Sequence, residues 1–121
     1  MKITTHTLKR PPAHTPRRYQ TEGNKSAYET LVSAHYFLPG TACDWYVLEH
    51  EPEDDEIFCW AEIVPGCGEL GYSSLREMEE LVIKVPLIIG EKRTHVSCRV
   101  ELDEHWTVRP LDAVLAERAK R

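Results

Sequence analysis

Three closely spaced turns divide the middle of the chain, and they constrain its fold more than any other feature. Pro39-Gly40, the polar run 52–55 and the run 65–68 each combine residues that favour turns. A parallel strand pair needs a crossover of roughly a dozen residues or more, whereas two antiparallel strands need only a short turn. The short connections in this sequence therefore predict an antiparallel meander.

The segments between these turns have the composition of strands. We predict strands at 34–38, 44–49, 57–64 and 69–72. The second segment is rich in aromatic and β-branched residues, which pack well on a pleated sheet. The third is apolar at nearly every position, and this pattern is typical of an interior strand covered on both faces.

Two helices and a hairpin complete the predicted fold. Ser74-Leu75-Arg76-Glu77 has the capping-box pattern that begins a helix. Residues 85–89 and 94–102 flank Gly90-Glu91-Lys92 and predict a hairpin. Pro110 marks the start of a C-terminal helix with a basic end. The predicted class is α+β: a small antiparallel sheet, built as a meander plus a hairpin, with short helices after Ser74 and at the C-terminus.

The length of 121 residues suits one domain. Residues 1–18 contain three prolines and five basic residues with little apolar periodicity, so we predict an extended arm that is ordered only if it packs on the domain or on a partner. Residues 19–121 form the single α+β domain. With no apolar run long enough to span a bilayer and no export signal, we expect a cytoplasmic protein that does not bind membranes.

Catalytic and metal-binding patterns are sparse. The closest cysteine pair, Cys59 and Cys67, lacks the spacing of a zinc knuckle, and free, mostly buried thiols are the expectation; whether that pair binds metal stays open. The histidines fall singly, without the i, i+4 spacing of a helical metal site. We therefore predict no catalytic residue, no cofactor and no metal site, and we favour a binding protein over an enzyme.

Charge is distributed unevenly along the chain, whose net charge is −5. Residues 1–25 carry six basic residues and a single acid, Glu22, whereas residues 26–74 carry ten acids and no Lys or Arg. So acidic a segment should repel nucleic-acid phosphates and attract a basic protein surface. The alternative is that the acids at 51–56 only keep a turn solvated.

Several motifs resemble one bacterial family, the domain-of-unknown-function family twenty-nine fifty-eight (DUF2958). The similar segments are 19–22, 36–39, 45–49, the acidic loop into Ile57-Phe58, 69–79 and 108–111, and the resemblance covers roughly 16–115. It implies a setting on plasmids, integrative elements and phages, sometimes beside DNA-handling enzymes, and no defining activity. Trp60 and Ser73 depart from the family pattern, and the segment between Leu81 and Trp106 looks longer.

The leading hypothesis is a mobile-element protein that binds a basic partner through an acidic surface with aromatic residues. The large aromatic side chains should mostly form the core. Since neighbouring strand residues face opposite sides, one of Trp45 and Tyr46 faces away from the other, and if that ring is exposed beside the acids it would serve as an anchor. A specific version is an inhibitor of a host DNA-defence nuclease, whose nucleic-acid groove the acids would occupy. The predicted partner-binding residues are Trp45, Tyr46, Glu49, Glu51, Glu53, Asp54, Asp55, Glu56, Glu69 and Tyr72.

Two other functions stay open. A small metal-dependent or thiol hydrolase could use Glu62 and Glu69 beside Cys67, which lies between two glycines. A nucleic-acid accessory protein could grip phosphates with Arg10, Arg17 and Arg18 of the arm. The sequence leaves the oligomeric state and the strand order undetermined.

Overall fold

A five-stranded antiparallel sheet lies at the centre of the computed structural model, which describes residues 7–23 and 26–121. Its strands are β2 (Ala34–Phe37), β3 (Asp44–Glu51), β4 (Glu56–Glu62), β5 (Gly68–Ser74) and β8 (Glu101–Leu102), in the spatial order β5-β4-β3-β2-β8. Strands β2 to β5 form the predicted meander, and β4 has a neighbour on each side. The α+β class is confirmed.

The other elements surround this sheet. They are a 3-10 helix (Ala27–Glu29), β1 (Leu31–Val32), α1 (Leu75–Glu80), β6 (Val82–Ile89), β7 (Lys92–Arg99), β9 (Arg109–Pro110) and α2 (Leu111–Arg118). Strand β1 pairs with β9, and β6 pairs with β7. Helix α1 follows β5 directly, and the Ser74 hydroxyl accepts a hydrogen bond from the Glu77 N–H at 3.3 Å, as the capping box predicts.

The sheet is covered on both faces, and each face has its own hydrophobic core. On the first face, Tyr36, Trp45 and Ile57 pack with Leu75 of α1. On the second face, Tyr46, Leu48 and Trp60 pack with Leu111 and Val114 of α2. A strand covered on both sides is apolar at consecutive positions, which explains the composition of β3 and β4.

The C-terminal end of the predicted hairpin differs from expectation. Residues 94–102 were expected to form one strand, but the chain divides into β7 and β8 around Val100. Strand β7 pairs only with β6, whereas β8 pairs with β2 at the edge of the central sheet. Val100 is fully buried in the first core, so burial of this side chain fixes the point where the strand changes partner.

The described part of the arm, residues 7–18, packs along the domain. Leu8 is buried in the first core. The Tyr36 hydroxyl donates to the Lys9 carbonyl at 2.6 Å, and the His50 N–H donates to the Pro16 carbonyl at 2.8 Å. Residues 1–6 of the arm lie outside the described residues. The arm thus contributes to the core and to the hydrogen bonding of β2 and β3.

Candidate functional site: an acidic surface held by the N-terminal arm

Six acids gather where β3 ends and β4 begins. We call this set the acidic surface; it consists of Glu49, Glu51, Glu53, Asp54, Asp55 and Glu56. The turn between the two strands brings them together, and Asp55 in this turn has a φ of 57°, in the left-handed region. The Asp55 carbonyl also accepts the Leu75 N–H at 2.9 Å, which ties the turn to the start of α1.

Glu49 is a structural member of the acidic surface. Its side chain is buried and accepts hydrogen bonds from the N–H groups of Tyr19 and Thr21, each at 3.1 Å. The Thr21 hydroxyl donates to the same carboxylate. A buried carboxylate needs several donors to offset its desolvation, and here they come from the segment that follows the arm. Glu49 therefore fixes the backbone around Tyr19.

Three arginines of the arm bind other members of the acidic surface. Arg10 lies 2.8 Å from Asp55 and Arg18 lies 3.4 Å from Glu56. Arg17 pairs with Glu51, and Arg18 also pairs with Asp54. These three arginines were the predicted phosphate-binding residues. In the structure they instead form ion pairs with acids of the same domain.

Asp55 has two side-chain partners, one for each carboxylate oxygen. Arg10 donates to one carboxylate oxygen, and Nε2 of His50 lies 2.9 Å from the other. Burial alone would raise the pKa of Asp55, but the hydrogen bonds from His50 and Arg10 hold it below its usual value. Asp55 is therefore an ionised group at neutral pH that holds the arm against the turn.

Three members of the acidic surface keep substantial exposure to solvent. The side chains of Glu53, Asp54 and Glu56 are 85%, 52% and 39% exposed. With six carboxylates and three arm guanidinium groups, the region keeps a net charge of about −3. The arm thus offsets half of the charge of the acidic surface, and its three outer acids remain partly exposed although Arg17 or Arg18 contacts each of them.

The prediction that Trp45 or Tyr46 would provide an outward aromatic anchor is wrong. Both side chains are buried, at 4% and 2% exposure. They do face opposite sides of the sheet, as strand geometry requires, but each side is covered by a core. An outward ring would have required one face of β3 to be open to solvent.

Tyr72, another predicted partner-binding residue, is exposed and lies near the acidic surface. Its position in β5 pairs with Phe58 of β4, and Phe58 pairs with Glu49 of β3, so all three lie on the second face. The Tyr72 and Phe58 rings are 5.2 Å apart. Partial burial raises the pKa of Tyr72, and negative charge from Tyr19, Glu49 and Glu56 raises it further.

Tyr19 is the second exposed aromatic side chain in this region. It has a φ of 67°, which is uncommon for a residue with a bulky side chain. The two bonds from Tyr19 and Thr21 to Glu49 hold this conformation, while the ring itself is 61% exposed. Sequence reasoning did not identify Tyr19, because a left-handed tyrosine leaves no local pattern.

Glu69 and Glu62 do not form a carboxylate pair. Glu69 is opposite Ala61, so it faces the first side of the sheet, whereas Glu62 in the next row faces the second. Glu62 accepts a hydrogen bond from Arg118 at 2.9 Å. Since their side chains point to opposite faces, the two acids cannot act together on one substrate. Glu69 also lies on the opposite face from Tyr72, away from the acidic surface.

The cysteines are free thiols in different environments. Cys59 is buried, Cys67 is exposed, and Cys43 and Cys98 are half-buried, so the expected burial applies fully to one of the four. Burial raises the pKa of Cys59 to about 11, which keeps this thiol protonated. Within residues 7–23 and 26–121, no group of three or more His, Cys, Asp or Glu side chains is placed to hold a metal ion.

A second polar cluster lies at the far end of the sheet, around His35. Its ring nitrogens lie 2.6 Å from Asp44 and 3.0 Å from Asp103. The ring stacks on Tyr46 with the centroids 4.9 Å apart, and Trp106 is 5.1 Å away. Each ring nitrogen of His35 therefore faces a carboxylate.

Arg118 of α2 completes this cluster. Its side chain is only 11% exposed and binds Asp44, as well as Glu62 and the Tyr46 hydroxyl. Burial would raise the pKa of Asp44, but hydrogen bonds from His35 and Arg118 lower it. Each buried charge therefore has a partner of opposite sign, and the cluster fastens α2 to the sheet. Sequence reasoning treated His35 as an isolated strand histidine, because its partners are remote in the chain.

Comparison with known proteins gives a family and no activity. A sequence model of the family described as protein of unknown function (DUF2958) matches residues 13–107. The chain belongs to this family. No curated protein and no solved structure gives a significant match. Among the described residues, no helix is both long enough and apolar enough to cross a membrane.

Proposed function

We propose that this member of the DUF2958 family is a non-enzymatic protein-binding module whose partner presents a basic surface. The observation that carries the proposal is the position of two exposed tyrosines, Tyr19 and Tyr72, beside the solvent-facing half of the acidic surface. Interfaces favour aromatic side chains at their centre and complementary charge around them. The contact region consists of Tyr19, Glu53, Asp54, Glu56 and Tyr72.

The charge of this region supports a basic partner over an acidic one. The arm leaves a net charge of about −3 on the acidic surface as a whole, although Arg17 also lies 3.7 Å from Glu53 and Arg18 pairs with Asp54 and Glu56. These exposed acids would accelerate association with a basic protein and reject acidic ones. Glu51 and Asp55 have a different part in the proposal, because they hold the arm that positions Tyr19.

The backbone supports a rigid binding surface. Residues with a left-handed φ that are not glycine are uncommon, and strain of this kind concentrates at functional sites. Among the described residues, the two of this type are Tyr19 and Asp55, and both belong to this region. Holding the Tyr19 ring outward before the partner arrives reduces the entropy lost on binding.

The finer version of the proposal is inhibition of a DNA-defence nuclease. A nucleic-acid groove is lined by Lys and Arg, so an acidic surface with exposed aromatic rings can occupy it. In this version, the Lys and Arg side chains of the nuclease groove contact Glu53, Asp54 and Glu56 in place of the phosphates of DNA. Duplex DNA should then compete with the protein for its partner, and the purified nuclease should lose activity when the protein is added.

The test is affinity capture of the tagged protein from lysate of the encoding cell, compared with the variant Glu53→Lys/Asp54→Lys. These acids are exposed, and neither supports the core. We expect capture of a basic protein at low salt, at least a tenfold reduction by the double substitution, and loss at high salt.

The matched control is Glu69→Lys/Glu101→Lys, which makes the same change in net charge at exposed positions away from the acidic surface. This control should capture as much partner as the unmodified protein. Equal losses for both double variants would show a general charge effect, and unchanged capture by Glu53→Lys/Asp54→Lys would refute the proposal. Thermal unfolding of each variant checks that the fold is retained.

A further inference from the structure

The β6–β7 hairpin has one apolar face and one basic face. Residues that pair across the hairpin share a face, and successive residues alternate. One face, which we call the apolar face, carries Ile83, Val85, Leu87, Ile89, Thr94, Val96 and Cys98, with Lys92 at the tip. The other face carries Val82, Lys84, Pro86, Ile88, Arg93, His95, Ser97 and Arg99.

Within residues 7–23 and 26–121, only the base of the apolar face is covered by other parts of the chain. Ile83 and Cys98 pack against the first core. Further out, Leu87, Val96 and Ile89 are 40%, 44% and 63% exposed. An isolated two-stranded hairpin is marginally stable in water, and contiguous exposed apolar surface marks an interaction site. The outer half of the apolar face is therefore a candidate interaction surface for a partner.

The edges of the hairpin are poorly suited to that partner. Pro86 interrupts β6, and proline cannot donate a backbone hydrogen bond to an added strand. Strand β7 begins with Lys92 and Arg93 and ends with Arg99, and charged residues of this kind disfavour pairing at an edge. A partner is thus expected to pack on the apolar face rather than extend the two strands.

We propose that this partner is a second copy of the chain, whose apolar face packs against the same face across a two-fold axis. A two-fold contact requires a surface that is complementary to itself, so repeated charges of one sign would oppose it. The apolar face meets this condition, because Lys84, Arg93 and Arg99 point to the opposite side.

Charge also determines the relative direction of the two hairpins. Residues 82–99 carry four basic residues and one acid, a net charge of +3, so the rest of the chain carries −8. A parallel arrangement would bring the Lys92-Arg93 tips together. An antiparallel arrangement places each tip near the base of the other hairpin, where the exposed Glu77 and Glu80 of α1 precede β6. The antiparallel arrangement is the complementary one.

The area of the apolar face determines how tightly the two copies should associate. Eight residues per strand give a hairpin about 26 Å long. Because the base of each face is already covered, two such faces bury at most about 1,000 Å² in total, near the lower limit for a specific interface. The dimer should therefore be weak, with a dissociation constant of about 10 to 100 μM.

Sedimentation velocity on the full chain tests the dimer over a range from about 2 to 500 μM, which brackets that constant. The key variants are Ile89→Lys and Ile88→Lys. These residues are adjacent and similarly exposed, at 63% and 69%, but lie on opposite faces. The unmodified chain should shift from monomer to dimer, Ile89→Lys should weaken association at least tenfold, and Ile88→Lys should associate normally.

The antiparallel arrangement has its own test. Lys92→Glu/Arg93→Glu should weaken the dimer, and adding Glu77→Lys/Glu80→Lys to the same chain should restore it. Thermal unfolding checks the fold, and Val96→Lys replaces Ile89→Lys if the latter is unfolded. A chain that stays monomeric to the highest concentration overturns the proposal, as does equal weakening by Ile88→Lys and Ile89→Lys. Failure here leaves the proposed partner of the acidic surface unaffected.

Discussion

The Arg10 side chain donates through Nε to Oδ2 of Asp55 at 2.9 Å, linking the N-terminal arm to the turn between β3 and β4. The same guanidinium donates to Glu79 of α1 at 3.0 Å and to the Leu8 carbonyl at 2.6 Å. One arginine therefore joins three segments that are far apart in the sequence. This contact explains why a basic arm and an acidic turn occur in one chain.

Removing this link should destabilise the fold. Arg10→Ala removes the guanidinium group from both Asp55 and Glu79, and we expect a loss of about 1–3 kcal/mol in the free energy of unfolding. Lys9→Ala is the control, because Lys9 is exposed and pairs with the exposed Glu104; it should have little effect. Urea unfolding measures both, and equal stability of the two variants would contradict the assigned role of Arg10.

Two glycines of β5 should respond differently to the same substitution. A Cβ added to Gly68 would lie 2.0 Å from the Trp60 ring, whereas one added to Gly71 meets nothing within 4 Å. Gly68→Ala should cost about 1–3 kcal/mol, because the Trp60 ring must move within the second core. Gly71→Ala should be neutral or slightly stabilising. Chemical unfolding followed by tryptophan fluorescence measures both, and a Gly68→Ala variant as stable as Gly71→Ala would be inconsistent with this packing.

Arg118 should contribute more to stability than its neighbours on α2. Arg118→Ala leaves Asp44 and Glu62 partly uncompensated beneath the helix, and a loss of about 3 kcal/mol is expected. Arg118→Lys keeps the charge but loses the forked geometry, so it should recover only part of that loss. Lys120→Ala is the exposed control. If thermal unfolding shows that Arg118→Ala is as stable as Lys120→Ala, the cluster does not fasten α2.

Stability should decrease in acid. The pKa values of Asp44, Asp55 and Asp103 are each lowered in the folded state, because hydrogen bonds from His or Arg outweigh the effect of burial. A lowered pKa stabilises the fold above the unfolded value of about 3.9, and this stabilisation is lost as the pH falls through the folded value.

Unfolding free energies measured between about pH 6 and pH 2 should show this loss below about pH 4, the range of the unfolded carboxylates. Asp44→Asn should reduce the slope, since the asparagine has no proton to bind. Asp112→Asn, at an exposed position of α2, is the control. The same acid slope in the unmodified chain and in Asp44→Asn would contradict the role assigned to Asp44.

Local sequence patterns predicted most of the fold. The capping box at Ser74 predicted the start of α1, and the structure confirms it. Pro110 directly precedes α2, as predicted. Short turns fixed the antiparallel meander, since their lengths exclude crossovers. The division between β7 and β8 was not predicted, because burial of Val100 depends on the packing of distant segments.

The candidate site depends on contacts that no local pattern encodes. Charge counting located the acids but could not show that Arg17 and Arg18 approach them from more than 30 positions away. Alternation along β3 predicted that Trp45 and Tyr46 diverge, yet their burial depends on α1 and α2 covering both faces. His35 acquires its partners Asp44 and Asp103 only when β2, β3 and the segment after β8 come together.

The most direct test of the central proposal is photo-crosslinking in the encoding cell, with a photoreactive phenylalanine analogue at Tyr72 or, as control, at Lys120. Tyr72 lies beside the acidic surface, whereas Lys120 is an exposed residue that follows the end of α2 at Arg118. We predict crosslinking from position 72 to one basic protein, with none to that protein from position 120. No crosslinked partner at position 72, or the same products from both positions, would contradict the proposed function.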